Sequence, residues 1–477
     1  MEAKEKCGVV AAHSTRGVDV VPRILQGLEA LQHRGQESWG IAVEGRPVFT
    51  RMGLVANWHL HAKDLLGYSG KSGIGHNRYS TKGRSVLDNA QPMQIEDEFS
   101  IAHNGTIVNG DQLAPMAEKE FGRSCETDTR AAGYRLLHHL RETDDMFAAF
   151  QRLSGEVFGA YCFVILTKKG EVLAVRDPRG YRPLSLGWHE GSGTFIAASE
   201  SCALEAVGAD FVRDIEPGEA VMFGRKSGEL ESFRFAPKVA PAHCSFEYTY
   251  FAHPSSRING VSVYGARKRV GKILAQKYRT KADVVIPVPD SARPSALGYA
   301  LESGIPMDEG LMKDRYTRKG SIRSFIQPGQ GGREEVVKRI IPIRDAISGK
   351  DILVVDDSLV RGTSSKIIVK SLKKAGAKSV KMAVTFPAIR HPCFMGIDFP
   401  SKEELLAHRV AESEDDAGTA KNVAKAIGVS EFYYNDIDGL AAAIGLPKDS
   451  LCFACVNGDY SKLGIAPPQS SEEEVKV

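Results

Sequence analysis

The chain has 477 residues, 42% of them hydrophobic and 25% charged; that is a globular composition, too long for one ordinary core, and it implies two or three domains. Its 62 basic and 59 acidic residues leave a net charge of +3, which gives no electrostatic reason to propose nucleic acid as a partner. No run of about eighteen apolar residues occurs and the start, MEAKEKCGVV, lacks the apolar core of a secretory signal, so a cytoplasmic protein with no membrane partner is expected.

From residue 7 to about 225 the pattern predicts short strands separated by turns: CGVVAAH, GIAVEG, SIAHNGTIV, YCFVILTKKGEVLAVRDP, TFIAAS and EAVMFGRKSGELESF. DTRAAGYRLLHHLRE, residues 128–142, reads as an intervening helix. Packed sheets with helices on them are the expected architecture. RFAPKVAPAH, residues 234–243, with its two prolines, reads as a linker. The grammar then changes. VYGARKRVGKILAQKY is helical, ADVVIPVPD and DILVVDD are strands, SSKIIVKSLKKAG is helical and SVKMAVTF is a strand. Strands alternating with helices predict a parallel sheet. The end, PPQSSEEEVKV, is rich in Pro, Ser and Glu and is expected to be disordered.

Within this half, LVVDDSLVRGTSS (353–365) places two acids at the carboxyl end of an apolar strand and a Gly-hydroxyl turn after them. Ligands of parallel sheets sit beyond the carboxyl ends of strands. Backbone N–H groups opening the next helix, with the Thr363 and Ser364 hydroxyls, can surround a phosphate, and Gly362 allows close backbone approach. Asp356 and Asp357 would repel that phosphate, so they need another partner: vicinal ribose hydroxyls, or a Mg²⁺ carried by a diphosphate. A bare Asp-Asp is more often a strand-end cap; followed by SLVRGTSS it is not read that way. The stretch resembles the phosphoribosyl-diphosphate (PRPP) motif of type I phosphoribosyltransferases. The resemblance implies PRPP binding by Asp356, Asp357, Ser358, Arg361, Gly362, Thr363 and Ser364. VVIPVPDSARPSALGYA is similar to the family strand whose serine, here Ser291, joins Asp356 and Asp357 at the Mg²⁺ site.

In the N-terminal half, CGVV begins at Cys7, and HRGQESWGIA, GIGHNRYST, AHNG and ETDT follow at 33–42, 73–81, 102–105 and 126–129. A lone strand cysteine is more often core, which suits Cys162, and Asn-Gly is a common hairpin turn. Together, however, the five segments resemble the N-terminal-nucleophile glutaminase domain of class II amidotransferases, an αββα sandwich. The resemblance implies that residues 1–6 are a propeptide, that Cys7 is the nucleophile, and that its α-amine, titrating near pH ~8, is the base. It implies Arg78 for the glutamine α-carboxylate, Asp128 for the α-ammonium, and the Asn104 side chain with the Gly105 N–H as the oxyanion hole.

Glutaminase followed by PRPP transferase resembles the glutamine phosphoribosyldiphosphate amidotransferase family over nearly the whole chain. RDPRGYRPL, ASES, FEYTYFA and HPCFMGIDFPSKEELLA fit it as well. The implied domains are 7–235 and 245–465, with a tail at 466–477. The implied substrates are glutamine and PRPP, with purine nucleotides as feedback inhibitors and a homo-oligomer, dimer or tetramer, as the assembly. Eight cysteines in a cytoplasmic chain suggest thiols, ligands or nucleophiles. Cys452 and Cys455 form a CxxC, which alone suits redox, zinc or iron–sulfur use. The iron–sulfur branch of the family implies a 4Fe–4S cluster on Cys244, Cys393, Cys452 and Cys455; ligand type alone leaves zinc open. Cys125, Cys162 and Cys202 are expected to be plain thiols. KDRYTRKGSIRSFIQP (313–328) fits the loop that closes on PRPP, with about four extra residues. FAHPSS and Ala292 depart from the family pattern without removing a catalytic group. Other glutaminase-driven enzymes, hexosamine-phosphate synthases and asparagine synthetases, would need a different second domain, and a nucleotide-sensing paralogue would not need the Cys7 set.

Overall fold

The structure, a computed structural model, describes residues 7–79, 84–225, 229–313, 340–397, 399, 401–411 and 416–463. The expected propeptide 1–6, the loop 313–328 beyond its first residue, and the tail 466–477 lie outside the described residues.

The N-terminal half contains β1 (Gly8–Ser14), β2 (Ser38–Val43), β3 (Phe49–Met52), β4 (Ser72–Arg78), β5 (Met93–Ile95), β6 (Phe99–Ile107), β7 (Gly159–Thr167), β8 (Val172–Arg176), β9 (Ser185–His189), β10 (Thr194–Ala198), β11 (Asp210–Asp214), β12 (Glu219–Phe223) and β13 (Leu230–Arg234). They form two antiparallel sheets, ordered β11-β9-β10-β1-β4-β2-β3 and β13-β12-β8-β7-β6-β5. Strand alternation builds the layers. On β1, Val9 and Ala11 face the second sheet, where they meet Ala102, Val164 and Ala174. Val10 and Ala12 face outward onto the helices Val21–Ala30 and Ser201–Ala206. Helices Gly110–Phe121, Asp128–Thr143 and Met146–Ser154 cover the other sheet. This is the expected αββα sandwich. With both faces covered, β1 is buried along its whole length, which is why it reads as a continuous apolar run.

β4 is a strand that sequence pattern did not reveal. Its glycines leave room for a helix: a Cβ on Gly75 would lie 2.5 Å from Ile24 Cγ2.

The C-terminal half carries a four-stranded, wholly parallel sheet in the order Val284–Pro287, Asp351–Asp356, Ser379–Val384, Phe432–Tyr434. One face packs Val285, Leu353 and Val355 against helices Val263–Lys277 and Arg293–Ser303. The other packs Ile286, Ile352 and Val354 against helices Thr363–Lys374 and Asp416–Ile427. Residues 235–242 between the halves have no regular secondary structure. Among the described residues, no helix is long and apolar enough to cross a membrane.

Candidate active sites

Cys7 immediately precedes β1. The β1–β4 register pairs Gly8 with Asn77, so it sets Cys7 across from Arg78, which closes β4. Cys7 is 9% exposed, and its thiol donates to the Tyr79 carbonyl at 3.6 Å. Arg78 is buried; its Nη1 donates to Glu37 Oε1 at 2.5 Å and to the Arg84 carbonyl at 3.3 Å. Asn104 and Gly105 lie on β6 in the facing sheet. Asn104 Nδ2 donates to Ser199 Oγ at 3.4 Å, and the same hydroxyl accepts from Val9 N at 2.9 Å. One serine therefore ties the Asn104 amide to the strand that starts at Cys7. Gly105 has φ +149°, and a Cβ there would lie 1.9 Å from the Ala160 carbonyl oxygen, so only glycine fits.

Asp128 opens its helix and turns back onto β6. Its Oδ2 accepts from Ile107 N at 2.9 Å and its Oδ1 from Thr129 N at 2.8 Å. His103, stacked on Phe163 with ring centroids 4.8 Å apart, brings Nδ1 to 3.9 Å from Asp128 Oδ2. Register thus gathers Cys7 with Arg78, and a hydroxyl gathers Asn104 to β1. Asp128 is held to the same strand as Gly105, two residues beyond it. Glu37, Ser199 and His103 were missed by sequence reasoning, although each lies inside a quoted segment.

In the other half, the strand Asp351–Asp356 ends at the acid pair. Both are buried. Asp357 accepts from Ser358 Oγ at 2.6 Å and from Ser291 Oγ at 2.5 Å, which brings Ser291 to the pair. Asp356 Oδ1 accepts from Asp357 N at 2.9 Å, but Asp356 Oδ2, also buried, has no hydrogen-bond partner among the described residues. Burial, then the neighbouring Asp357 charge, pushes the Asp356 carboxyl up to about 7. A hard divalent cation or a donating hydroxyl is what such an oxygen lacks. Gly362, at φ +78°, precedes helix Thr363–Lys374; a Cβ there would lie 2.5 Å from Leu406 Cδ2. Ser364 is buried and Thr363 exposed. Arg361 pairs with Glu404.

The two halves of the chain meet at a buried junction. Arg34 pairs with Glu200 and, at 2.5 Å, with Glu247; Arg182 pairs with Glu247 at 2.9 Å and donates to the Met395 carbonyl at 2.7 Å. Glu200 Oε2 accepts from His253 N at 2.8 Å and Ser256 Oγ at 2.6 Å. Burial opposes these charges, but their mutual attraction wins: the Arg34 guanidinium is held above its ordinary range, and Glu200 well below its own. Arg267, facing carbonyls of Tyr248, Tyr250 and Ala252 at 2.8–3.0 Å, is pushed down to about 10 by burial, against the pull of Asp357.

Cys244 and Cys452 face each other on a parallel two-stranded ladder, His243–Cys244 with Leu451–Cys452. With Cys393 and Cys455 they line one cavity of about 500 Å³, and none forms a disulfide. Burial raises Cys452 to about 12 and raises Cys244 and Cys455 as well; Cys393 adds to the rise of all three. Cys125, Cys162 and Cys202 lie away from this cavity; Cys162 and Cys202 are buried.

Residues 76–206 match a family model described as a glutamine amidotransferase domain, and residues 264–394 one described as a phosphoribosyl transferase domain. The chain is 41% identical to an amidophosphoribosyltransferase of Methanocaldococcus jannaschii, covering 95% of this chain and 97% of that protein. It is 42% identical to the Pyrococcus horikoshii protein of the same name, covering 96% and 97%. Among solved structures, it matches a glutamine PRPP amidotransferase from B. subtilis, complexed with ADP and GMP, with a TM-score of 0.82 and 35% identity over 95% of this chain and 97% of that one. One candidate site in each half and full-length identity of this size lead to one conclusion: the chain belongs to the amidophosphoribosyltransferase family.

Proposed function

We propose that the chain transfers glutamine-derived ammonia to C1 of PRPP, giving 5-phosphoribosylamine, glutamate and diphosphate, the first committed step of purine biosynthesis. One observation carries this reading. A single chain holds a buried thiol in register with an arginine, and, in a separate parallel sheet, an acid pair with an orphaned oxygen. Once residues 1–6 are removed, Cys7 attacks the glutamine amide with its own α-amine as base. Arg78 exchanges Glu37 for the glutamine carboxylate, Asp128 takes the ammonium, and Asn104 with Gly105 N–H stabilises the oxyanion. Asp356 and Asp357 accept from the ribose hydroxyls, and the loop Ser358, Arg361, Gly362, Thr363, Ser364 cradles the 5-phosphate. Mg²⁺ suits the all-oxygen donor set of Asp356, Asp357 and Ser291; when bound it neutralises the diphosphate. The domains run 7–235 and 245–465 in a cytoplasmic homo-oligomer. Because the B. subtilis relative is complexed with ADP and GMP, purine nucleotides are proposed as inhibitors here.

The test is phosphoribosylamine formation from PRPP with glutamine and, separately, with ammonia. Activity with both supports two sites; activity with neither overturns the reading. For Cys244, Cys393, Cys452 and Cys455 we propose a structural 4Fe–4S cluster, since neither half-reaction moves electrons. Anaerobic protein should be brown with about four irons per chain. Colourless, fully active protein holding zinc or nothing would overturn that assignment.

A further inference from the structure

On the helix Asp128–Thr143, three turns beyond Asp128 at its start, His138, His139 and Glu142 present ligand atoms that all lie within 4.8 Å of one another. His138 Nε2 is 3.3 Å from Glu142 Oε1, and His139 Nδ1 is 4.0 Å from Glu142 Oε2. The far side of each ring is fixed by a carboxylate. His138 Nδ1 meets Glu120 Oε1 at 2.8 Å, and His139 Nε2 meets Glu156 Oε1 at 3.0 Å. A ring nitrogen that donates to a carboxylate leaves the other nitrogen as a lone pair. In that tautomer both remaining ring nitrogens face the Glu142 carboxylate, whose Oε2 also accepts from Arg152 Nη1. His139 is 5% exposed, and its buried Nδ1 has no hydrogen-bond partner among the described residues.

We propose that His138, His139 and Glu142 form a binding site for a divalent metal of the zinc class, with its fourth position open to water. Imidazole and carboxylate donors suit zinc and its late first-row neighbours. A tetrahedral site with metal–ligand distances of about 2.0–2.1 Å has ligand edges of roughly 3.3–3.4 Å. The His138–Glu142 pair already has that spacing, and the half-exposed Glu142 side chain can rotate to close the rest. The neighbouring charges are accounted for. Arg135 is occupied with Glu156, and Arg152 Nη1 holds Glu142 Oε2 at 2.5 Å. Arg152 is therefore a competitor for the ligand, not a bystander. The metal would tie Glu142, near the end of its helix, to a ring that Glu156 links to the segment after helix Met146–Ser154.

The test uses the full chain, purified anaerobically, titrated with Co²⁺. Cobalt on the four cysteines gives an intense thiolate charge-transfer band; cobalt on His138, His139 and Glu142 gives only weak d–d absorption. One equivalent of the second kind is expected. It should vanish in His138→Ala and in Glu142→Gln, with metal-free melting and the thiolate band unchanged. Arg152→Ala should tighten the same equivalent by up to roughly fivefold, the worth of a surface ion pair. Equal cobalt uptake by the wild type and both ligand variants, or weaker uptake by Arg152→Ala, would overturn the site.

Discussion

The two candidate sites differ in how their polar groups are matched. In the sandwich, Arg78 holds Glu37, Asp128 holds Ile107 N, and Asn104 donates to Ser199. Substrate must displace partners that are already there. At the edge of the parallel sheet, Asp356 is left with a buried oxygen that no described residue satisfies and a carboxyl raised to about 7. The first site pairs its charged side chains with protein partners and, among the described residues, leaves a neutral oxygen, Asn104 Oδ1, unmatched; the second leaves a carboxylate oxygen unmatched. The contrast follows from chemistry. An amide carbon needs donors held in place before attack, whereas a metal-bearing diphosphate brings its own charge to the acid pair.

The largest expected effect isolates the first site. Cys7→Ala should lower glutamine-dependent amine formation by at least roughly a thousandfold, the scale of losing a nucleophile, and spare most of the ammonia-dependent rate. Parallel assays with the two nitrogen sources decide it, and equal losses would mean that the sites are not separable.

Packing of the sandwich can be broken at Gly105. With φ +149° and the Ala160 carbonyl 1.9 Å from a would-be Cβ, Gly105→Ala should cost about 4 kcal/mol or more. Urea melts would show it; a well-folded, active variant would show that the close approach of the Ala160 carbonyl does not require glycine at 105.

Asp356→Asn tests the second site in two directions at once. The raised carboxyl binds its proton more tightly in the folded state than the ordinary 3.8 of the unfolded chain. Its stabilising contribution is full below about pH 4 and is lost as pH rises towards 7. The variant should escape that loss and be more stable than the parent above pH 7, by about 1–4 kcal/mol. Its PRPP turnover should still fall by roughly 10–100-fold, since a charge-assisted bond to hydroxyl is worth about 1.5–3 kcal/mol. Melting curves across pH, with and without Mg²⁺, read the first effect; a variant less stable than its parent at every pH would remove the electrostatic contrast.

The smallest effect sharpens the claim of self-pairing. Ser199→Ala strips an acceptor from buried Val9 N and from Asn104 Nδ2 and should cost about 1–3 kcal/mol. The glutamine-dependent rate should fall several-fold, with the ammonia-dependent rate unmoved.

How much of this was legible depended on range in sequence. LVVDDSLVRGTSS is local: strand, acids, turn and helix start lie within thirteen residues, and the strand Asp351–Asp356 and helix Thr363–Lys374 fall within a residue or two of expectation. The helix at 128 was equally plain, because Thr127 caps it and its apolar face repeats at helical spacing. β4 was not read as a strand, since alternating glycines carry no hydrophobic signal; only the helix they accommodate explains them. The Arg34–Glu200–Glu247–Arg182 junction also escaped. Its members sit in segments that drew notice, but their pairing spans up to 213 residues, and nothing in a one-dimensional pattern says which buried charge meets which.

That junction has a consequence for modularity. Arg34, Arg182 and Glu200 belong to the sandwich side and leave one positive charge over; Glu247 lies past the linker and supplies the balancing negative one. Separating the halves would strip Arg34 and Arg182 of Glu247 and open the junction to water, so the two halves are matched to each other at this point. A graft of this sandwich onto a different acceptor domain would have to bring a carboxylate to the place of Glu247, whatever chemistry the new partner performs.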